Sequence, residues 1–341
     1  MDRRQFTTLA LLAAGGLLPG QAAEADELNA ESAPRPRPNA PIPTLGGRQF
    51  WADELFFHDW HIQRNTLTGH CRLLDGANVR QAWGSYEACL ARLEQIKHKH
   101  GLPPMSGPAV VVLHGLFRSS ASMRYMSRFL RDQGHYSVFN VSYPTTQGAV
   151  ADHAQSLAKV MRNLEGITEI NFVAHSLGNL VVRHFLADHF DPRTGIQGDA
   201  RLRRMVMLGP PNQGAQMAEA FADVRLFHLM AGASASQLSR DWENLQARLT
   251  TPRCEFAILA GGRGTDKGYN PLLGEDNDMV VSVESTRLPG AADFAVLPVL
   301  HTFMMDDPRV QQYTLRFLQQ GFFVSEAERH AIAADTSGAG S

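Results

Sequence analysis

Short apolar runs alternate with amphipathic stretches along the chain after Pro108. The runs suit strands buried on both faces, whereas stretches such as Ser122–Gln133 and Ala151–Leu164 repeat apolar residues at helical spacing. This alternation predicts an α/β fold with a mostly parallel central sheet flanked by helices. The predicted strands are Ala109–Leu113, Ser137–Val141, Ile170–Ala174, Met205–Leu208, Phe256–Ala260 and Ala295–Val299.

The hydrophobic pattern before Pro108 is mixed. We expect two strands, Phe56–Arg64 and His70–Leu74, and a helix over Tyr86–Lys99 with an ordinary buried stripe. No residue pattern there points to chemistry. Residues 46–107 are therefore predicted to be an N-terminal extension packed on a catalytic domain over residues 108–325.

The N-terminus has the order of an export signal. Adjacent Arg3 and Arg4 precede an apolar run, Leu9–Leu18, and Ala23-Glu24-Ala25 offers the small-x-small pattern of a cleavage site. The run is too short for a permanent membrane span. We expect residues 1–25 to be removed near Ala25 by the twin-arginine or the general secretion machinery, leaving a periplasmic or secreted protein.

Two further segments are predicted to pack poorly. Residues 26–45 form a Pro-rich linker, because the alternating prolines of Pro34–Pro43 favour an extended tether. Residues 326–341 are expected to be a loose C-terminal tail.

Composition narrows the function classes. The 341 residues are 44% hydrophobic and 19% charged, which indicates a globular chain, and the net charge of −2 disfavours nucleic acid as a partner. Cys71, Cys89 and Cys254 are too scattered for a disulfide scaffold or a Cys-rich metal site. A disulfide between Cys71 and Cys89 is possible after export, but buried thiols are favoured. Nothing in the sequence demands a metal or an organic cofactor.

The strongest motif is Ala174-His175-Ser176-Leu177-Gly178, which lies between a predicted strand and a predicted helix. Small residues on both sides of a serine are typical of a nucleophile elbow, where the helix turns back tightly on the strand. Ser176 is therefore the candidate nucleophile. The alternative is a serine that only caps the helix.

A second motif, His114-Gly115-Leu116, ends the first predicted strand. An oxyanion hole needs two backbone amides aimed at one point, and we assign them to Leu116 and to Leu177. An ordinary glycine turn is the alternative. His114 is interpreted as a brace for this loop and not as the base.

The base should follow the nucleophile in the chain, because this architecture uses the order nucleophile, acid, histidine. His301 opens the loop after a strand-like run and should therefore share a sheet edge with Ser176. The other downstream histidines lie on the helix after the elbow, in an apolar helical stretch or in the polar terminal segment: His184, His189, His228 and His330.

The acid is sought in the long loop after Phe256–Ala260. A carboxylate there can orient the imidazole and stabilise its protonated form. Asp278 is the preferred residue, with Asp276 and Asp266 as alternatives, since loops also carry solvated carboxylates without a catalytic task.

Together these segments resemble bacterial lipases and esterases of the α/β-hydrolase superfamily, over roughly Pro108 to Gly321. The elbow is similar to the family's Ala-His-Ser-x-Gly, and Leu208–Gly214 looks like the Gly-x-Pro-x-x-Gly turn after the next strand. Asn277–Val281 resembles the Asp-Gly-x-Val segment that bears the acid, with Met279 where glycine is frequent.

The resemblance implies an α/β-hydrolase fold and hydrolysis of small-molecule or lipid esters by Ser176, His301 and Asp278. Residues 215–235 are rich in Met, Phe and Leu, which is consistent with a cap over an apolar pocket or with a core-facing helix. The same triad can serve an amidase or an acyltransferase, and a catalytically silent binding module is the rival from another class.

Overall fold

The computed structural model describes residues 42–43, 49–214 and 242–334 of the chain. The predicted export signal, nearly all of the linker, the candidate cap over residues 215–235 and His228 lie outside the described residues. Within these ranges, no helix combines the length and the apolar character needed to cross a membrane.

The N-terminal extension forms an antiparallel sheet and one helix. Its strands are β2 (Trp51–Phe57), β3 (Trp60–Asn65), β4 (Cys71–Leu74) and β5 (Val79–Gly84). A short strand from the predicted linker, β1 (Ile42–Pro43), pairs antiparallel with β5, which differs from the extended tether expected there and gives the spatial order β1-β5-β4-β3-β2. Helix α1 (Tyr86–His100) begins where Ser85 accepts a hydrogen bond from the amide of Ala88 at 3.2 Å. It ends at Gly101, whose φ of 55° suits glycine.

The expected single strand Phe56–Arg64 is instead a hairpin that turns at His58 and Asp59. No Gly, Pro or Asn marks this turn, and His58 adopts a φ of 51° without such a signal. Strand β5 was not predicted, because its polar residues hide the alternation.

The remaining strands form one parallel sheet, as predicted. In chain order they are β6 (Gly107–Leu113), β7 (Ser137–Val141), β8 (Ile167–His175), β9 (Leu202–Leu208), β10 (Glu255–Gly261) and β11 (Asp293–Leu297). Their spatial order is β11-β10-β9-β8-β6-β7, and each neighbouring pair is parallel. All carboxyl ends therefore meet at one edge of the sheet.

Helices cover both faces of this sheet. They are α2 (Arg124–Gly134), α3 (Val150–Arg162), α4 (Leu177–Asp188), α5 (Trp242–Gln246) and α6 (Pro308–Gln320). One buried cluster joins α2 and α6 to one face. The other cluster joins α3, α4 and the extension to the opposite face. The predicted α/β fold is confirmed.

The extension shares its core with the parallel sheet. The rings of Phe56 and Phe139 lie 5.5 Å apart between centroids. At the end of β7, the amide of Ser142 donates to Oδ2 of buried Asp53 at 2.6 Å, and the amide of Asp53 donates to the carbonyl of Ser142 at 2.9 Å. These bonds attach β2 beside the carboxyl end of β7.

The described part of the C-terminal tail, up to residue 334, differs from the expected loose segment. The amide of Ile332 donates to the carbonyl of Ala291 at 2.9 Å, and the carbonyl of Ile332 accepts from Gly290 at 3.0 Å. A single isoleucine in a polar stretch gives no periodic signal, so the sequence did not predict this attachment.

Cys71 and Cys89 are both buried and are not joined by a disulfide. Burial raises the pKa of the Cys89 thiol to about 12. Cys254 is also unbonded.

Candidate active site

Ser176 occupies a strained turn between β8 and α4. Its φ of 52° and ψ of −121° lie in a region that costs a non-glycine residue about 1–3 kcal/mol. Its amide donates to the carbonyl of Leu208 at 2.9 Å, which anchors the turn to the neighbouring strand. Such a sharp strand-to-helix turn is the geometry of a nucleophile elbow.

The turn requires glycine at two contact points. A β-carbon built on Gly178 would lie 2.9 Å from Cβ of Leu113 and 3.0 Å from the carbonyl oxygen of His114. A β-carbon on Gly115 would lie 3.0 Å from Cβ of Ser176. The loop after β6 therefore contacts the serine directly, which explains the small residue in each motif.

His301 and Asp278 form a buried pair. Nδ1 of His301 donates to Oδ2 of Asp278 at 2.6 Å, and the amide of His301 donates to the carbonyl of Asp278 at 2.9 Å. The carboxylate is held from its other side, since Oδ1 accepts from the amides of Val280 at 3.0 Å and Val281 at 2.7 Å. An ionised carboxylate only accepts, so Nδ1 carries the proton and Nε2 retains its lone pair.

Gly209 links this pair to the serine. It follows Leu208, whose carbonyl accepts from the amide of Ser176. A β-carbon on Gly209 would lie 3.0 Å from Nδ1 of His301 and 3.2 Å from Oδ2 of Asp278. Ser176, His301 and Asp278 therefore converge at the carboxyl edge of the sheet.

Ser176 and His301 are not hydrogen bonded to each other in this structure. Catalytic hydrogen bonds are often long before substrate binds and tighten in the complex. Both side chains are nearly buried, with 6% of each residue's surface exposed.

The amides of Leu116 and Leu177 lie on the two segments that flank Ser176. Leu177 is the first residue of α4, so its amide has no partner within the helix. The neighbouring amides on the other loop are occupied: Phe117 donates to Oγ1 of Thr145 at 3.0 Å, and Arg118 donates to the carbonyl of Gly115 at 3.2 Å. Within the described ranges, no hydrogen bond occupies the amide of Leu116.

His175 contributes a contact that sequence reasoning missed. Its ring lies 4.6 Å from the ring of His301 between centroids, and its Nε2 donates to the carbonyl of His301 at 3.0 Å. Burial, with a smaller effect from the charge of His301, lowers the pKa of His175 well below its usual range. Its position directly before Ser176 was the only feature of the sequence that could have indicated this contact.

His114 is also buried and braces the loop after β6. Its Nδ1 donates to the carbonyl of Gly115 at 3.0 Å, and its ring stacks on Tyr143 with centroids 4.3 Å apart. Burial lowers the pKa of His114 to about 4.

The two alternative candidates for the acid do not contact His301. Oδ1 and Oδ2 of Asp276 accept from the amides of Arg263 at 2.7 Å and Gly264 at 2.9 Å, so this carboxylate shapes its own loop. Asp266 is exposed.

The remaining downstream histidines that the structure describes are bonded elsewhere. Nδ1 of His184 lies 3.0 Å from Oδ2 of Asp188, and Nδ1 of His189 donates to the carbonyl of Phe185 at 3.0 Å. The amide of His330 donates to Oδ1 of Asp293 at 3.0 Å. Among the described residues, no group of three or more His, Cys, Asp or Glu side chains is arranged to hold a metal ion.

The order of the parallel strands and the turn at Ser176 define an α/β-hydrolase fold. A family model described as a domain of unknown function, DUF7379, matches residues 81–241, which is less than half of the chain. No curated protein matches.

Several solved structures are similar at low identity. The phospholipase PlaB from Legionella pneumophila, in complex with thio-NAD, is 18% identical over 62% of this chain and 58% of its own, with a TM-score of 0.49. The product of gene lin2722 from Listeria innocua is 16% identical over 67% of this chain and 99% of its own, with a TM-score of 0.44. A thermophilic esterase from Thermogutta terrifontis is 15% identical over 63% of this chain and 90% of its own, with a TM-score of 0.40.

Proposed function

We propose that this protein is a serine hydrolase that cleaves carboxylic esters through an acyl-enzyme. The observation that carries the proposal is the buried hydrogen bond between His301 and Asp278, at 2.6 Å, beside the strained turn of Ser176. A neutral imidazole whose Nδ1 proton is held by a carboxylate has its Nε2 lone pair available as a base.

In the proposed reaction, Nε2 of His301 takes the hydroxyl proton of Ser176 as Oγ attacks the carbonyl carbon of the ester. The amides of Leu116 and Leu177 stabilise the negative charge on the tetrahedral oxygen. Asp278 stabilises the imidazolium that forms and keeps the ring in position.

His301 then gives its proton to the leaving alcohol, and the carbon–oxygen bond of the ester breaks. Water attacks the remaining acyl group on Ser176, and His301 accepts the proton of that water. The bond between the acyl group and Oγ of Ser176 then breaks, His301 returns the proton to Oγ, and the carboxylic acid is released.

Labelling with a fluorophosphonate probe tests the proposal, because the probe reacts with an activated serine and not with an ordinary hydroxyl. We expect Ser176→Ala to abolish labelling and to lower turnover of a p-nitrophenyl ester by about 10⁴-fold or more. Ser156→Ala is the matched control, because the hydroxyl of Ser156 donates to the Asp152 carbonyl on α3. Undiminished turnover or labelling in Ser176→Ala would refute the assignment.

A further inference from the structure

A cleft of about 600 Å³ opens between the loop after β6 and the loop that begins at His301. Its volume is in the range of small-molecule sites. We call it the arginine cleft, and its defining residues are Phe117, Arg118, Arg124, Tyr125, Phe303 and Asp306.

The arginine cleft is lined by residues that directly follow two of the proposed catalytic groups in the chain. Phe117 follows Leu116 directly, and Nη2 of Arg118 donates to the carbonyl of Thr302 at 2.7 Å, one residue after His301. The histidine of this mechanism protonates the leaving alcohol. Thr302 and Phe303, the two residues after His301, line the cleft, so it is the described cavity nearest in the chain to the group that protonates the alcohol.

The charge of the cleft favours an anion. Nη2 of Arg124 donates to the hydroxyl of Tyr125 at 2.9 Å, and Arg118 uses the bond to Thr302, so each guanidinium keeps further donors. Among the described residues, no carboxylate lies within ion-pair distance of either arginine. The charges of both still act on Asp306, where they oppose the rise in pKa that burial causes. Asp306 is the one carboxylate among the cleft residues, which leaves two positive charges against one negative charge.

The walls supply an apolar complement. Phe117, Tyr125 and Phe303 are 41%, 45% and 58% exposed, which is unusual for large aromatic residues so close together. The guanidinium of Arg124 lies over the Tyr125 ring, 4.5 Å from its centroid, so Phe117 and Phe303 offer the faces for a flat ligand ring. The arginines suit a planar carboxylate or a phosphate.

We propose that the arginine cleft binds the alcohol part of an ester substrate that carries a carboxylate or phosphate group. This inference rests on the proposed esterase function and adds to it the class of leaving group. Arg118 and Arg124 pair with the anion, the aromatic residues hold the ring or chain that bears it, and Asp306 limits the affinity.

The test compares butyrate esters that share one acyl group and one phenyl ring. The alcohols are para-hydroxybenzamide, which is neutral, para-hydroxybenzoate and para-hydroxyphenyl phosphate. We expect kcat/KM to be about ten-fold higher for at least one anionic ester than for the neutral ester, since a hydrogen bond to a charged group contributes more than a neutral one. The two anionic esters distinguish a carboxylate site from a phosphate site.

Two variants should move this preference in opposite directions. Arg124→Gln should lower the ratio of anionic to neutral kcat/KM by about ten-fold. Asp306→Asn should raise it, because it removes the opposing carboxylate. Arg128→Gln is the control, an exposed arginine four residues along α2 that does not line the arginine cleft. Raising the salt concentration should reduce the preference of the unchanged protein.

The outcomes separate the two proposals. Turnover of the neutral ester without preference for either anionic ester, or equal ratios in Arg124→Gln and Arg128→Gln, would overturn the anionic leaving group and leave the esterase intact. No turnover of any ester, together with no fluorophosphonate labelling of Ser176, would overturn the esterase itself.

Discussion

Replacing Asp278 by Asn tests the role of the buried pair with little change of shape. Oδ1 of Asp278 accepts from the amides of Val280 and Val281, at 3.0 and 2.7 Å, while Oδ2 accepts from Nδ1 of His301. Asparagine offers one accepting oxygen and one donating NH₂ group. The oxygen should keep the two backbone bonds, so the NH₂ group is left facing His301.

This orientation reverses the tautomer of the imidazole. Nδ1 of His301 must accept from the new NH₂ group, so the ring proton moves to Nε2, where it blocks acceptance of the serine proton. The variant also loses the charge that stabilises the imidazolium. We expect kcat to fall by about 10³–10⁴-fold, equivalent to about 4–5.5 kcal/mol of transition-state stabilisation.

The assay is hydrolysis of p-nitrophenyl butyrate near neutral pH, together with urea unfolding of the same preparations. Because both backbone bonds of the Asp278 loop are retained, the midpoint of unfolding should change little. Asp276→Asn is the matched control, since Asp276 accepts backbone amides and not an imidazole. Its activity should stay within about ten-fold of the unchanged protein.

A fall of less than ten-fold for Asp278→Asn would refute this reasoning. So would an equal loss in Asp276→Asn. Loss of activity that accompanies loss of folding would point to a structural role, and the unfolding curve distinguishes that case.

Three further predictions follow from the same edge of the sheet. Gly209→Ala should lower kcat/KM by about 10²-fold because its β-carbon displaces the imidazole, whereas Gly264→Ala, at a similar positive φ with open space around it, should not. Met279→Gly should raise the free energy of unfolding by about 1 kcal/mol, measured in urea, because Met279 adopts a φ of 93°; a decrease would contradict this. His114 and His153 are buried, and burial lowers the pKa of each to about 4. As the pH falls below 6.5, these histidines take up protons in the unfolded chain before they do so in the folded protein, so the folded state loses stability until the pH reaches about 4. The free energy of unfolding measured in urea should be lower at pH 5 than at pH 7 by about 2 kcal/mol for each histidine. Equal free energies at the two pH values would contradict this prediction.

The parallel sheet could be predicted because each strand is a continuous apolar run. Ser137–Val141 matches β7 at both ends, since polar and small residues bound it clearly. The extension was harder because its hairpin at His58 and Asp59 contains no Gly, Pro or Asn, and one aspartate alone is a weak turn signal. Strand propensity is a poor predictor where pairing between neighbouring strands decides the structure.

The candidate site was predictable where a local backbone requirement selects the residue. Ser176 needs small neighbours in its turn, and this requirement is visible in the sequence. The contact of Gly209 with His301 is not visible, because it depends on two loops that meet only in the folded sheet. Asp278 and Asp276 lie in one loop, and a loop position does not show which carboxylate meets an imidazole; in the structure Asp278, not Asp276, is hydrogen bonded to His301.

Backbone strain recurs at the same edge of the sheet. In the described part of the chain, three of the six non-glycine residues with positive φ lie beside the candidate site: Phe117, Ser176 and Met279. At about 1–3 kcal/mol each, they cost an amount comparable with the 5–15 kcal/mol net stability of a typical protein. Such strain persists only where surrounding contacts hold it, and both faces of this sheet are buried against helices or the extension. A turn that served only to join a strand to a helix would have no reason to retain this cost, so the strain itself favours a functional role for the edge where Ser176 lies.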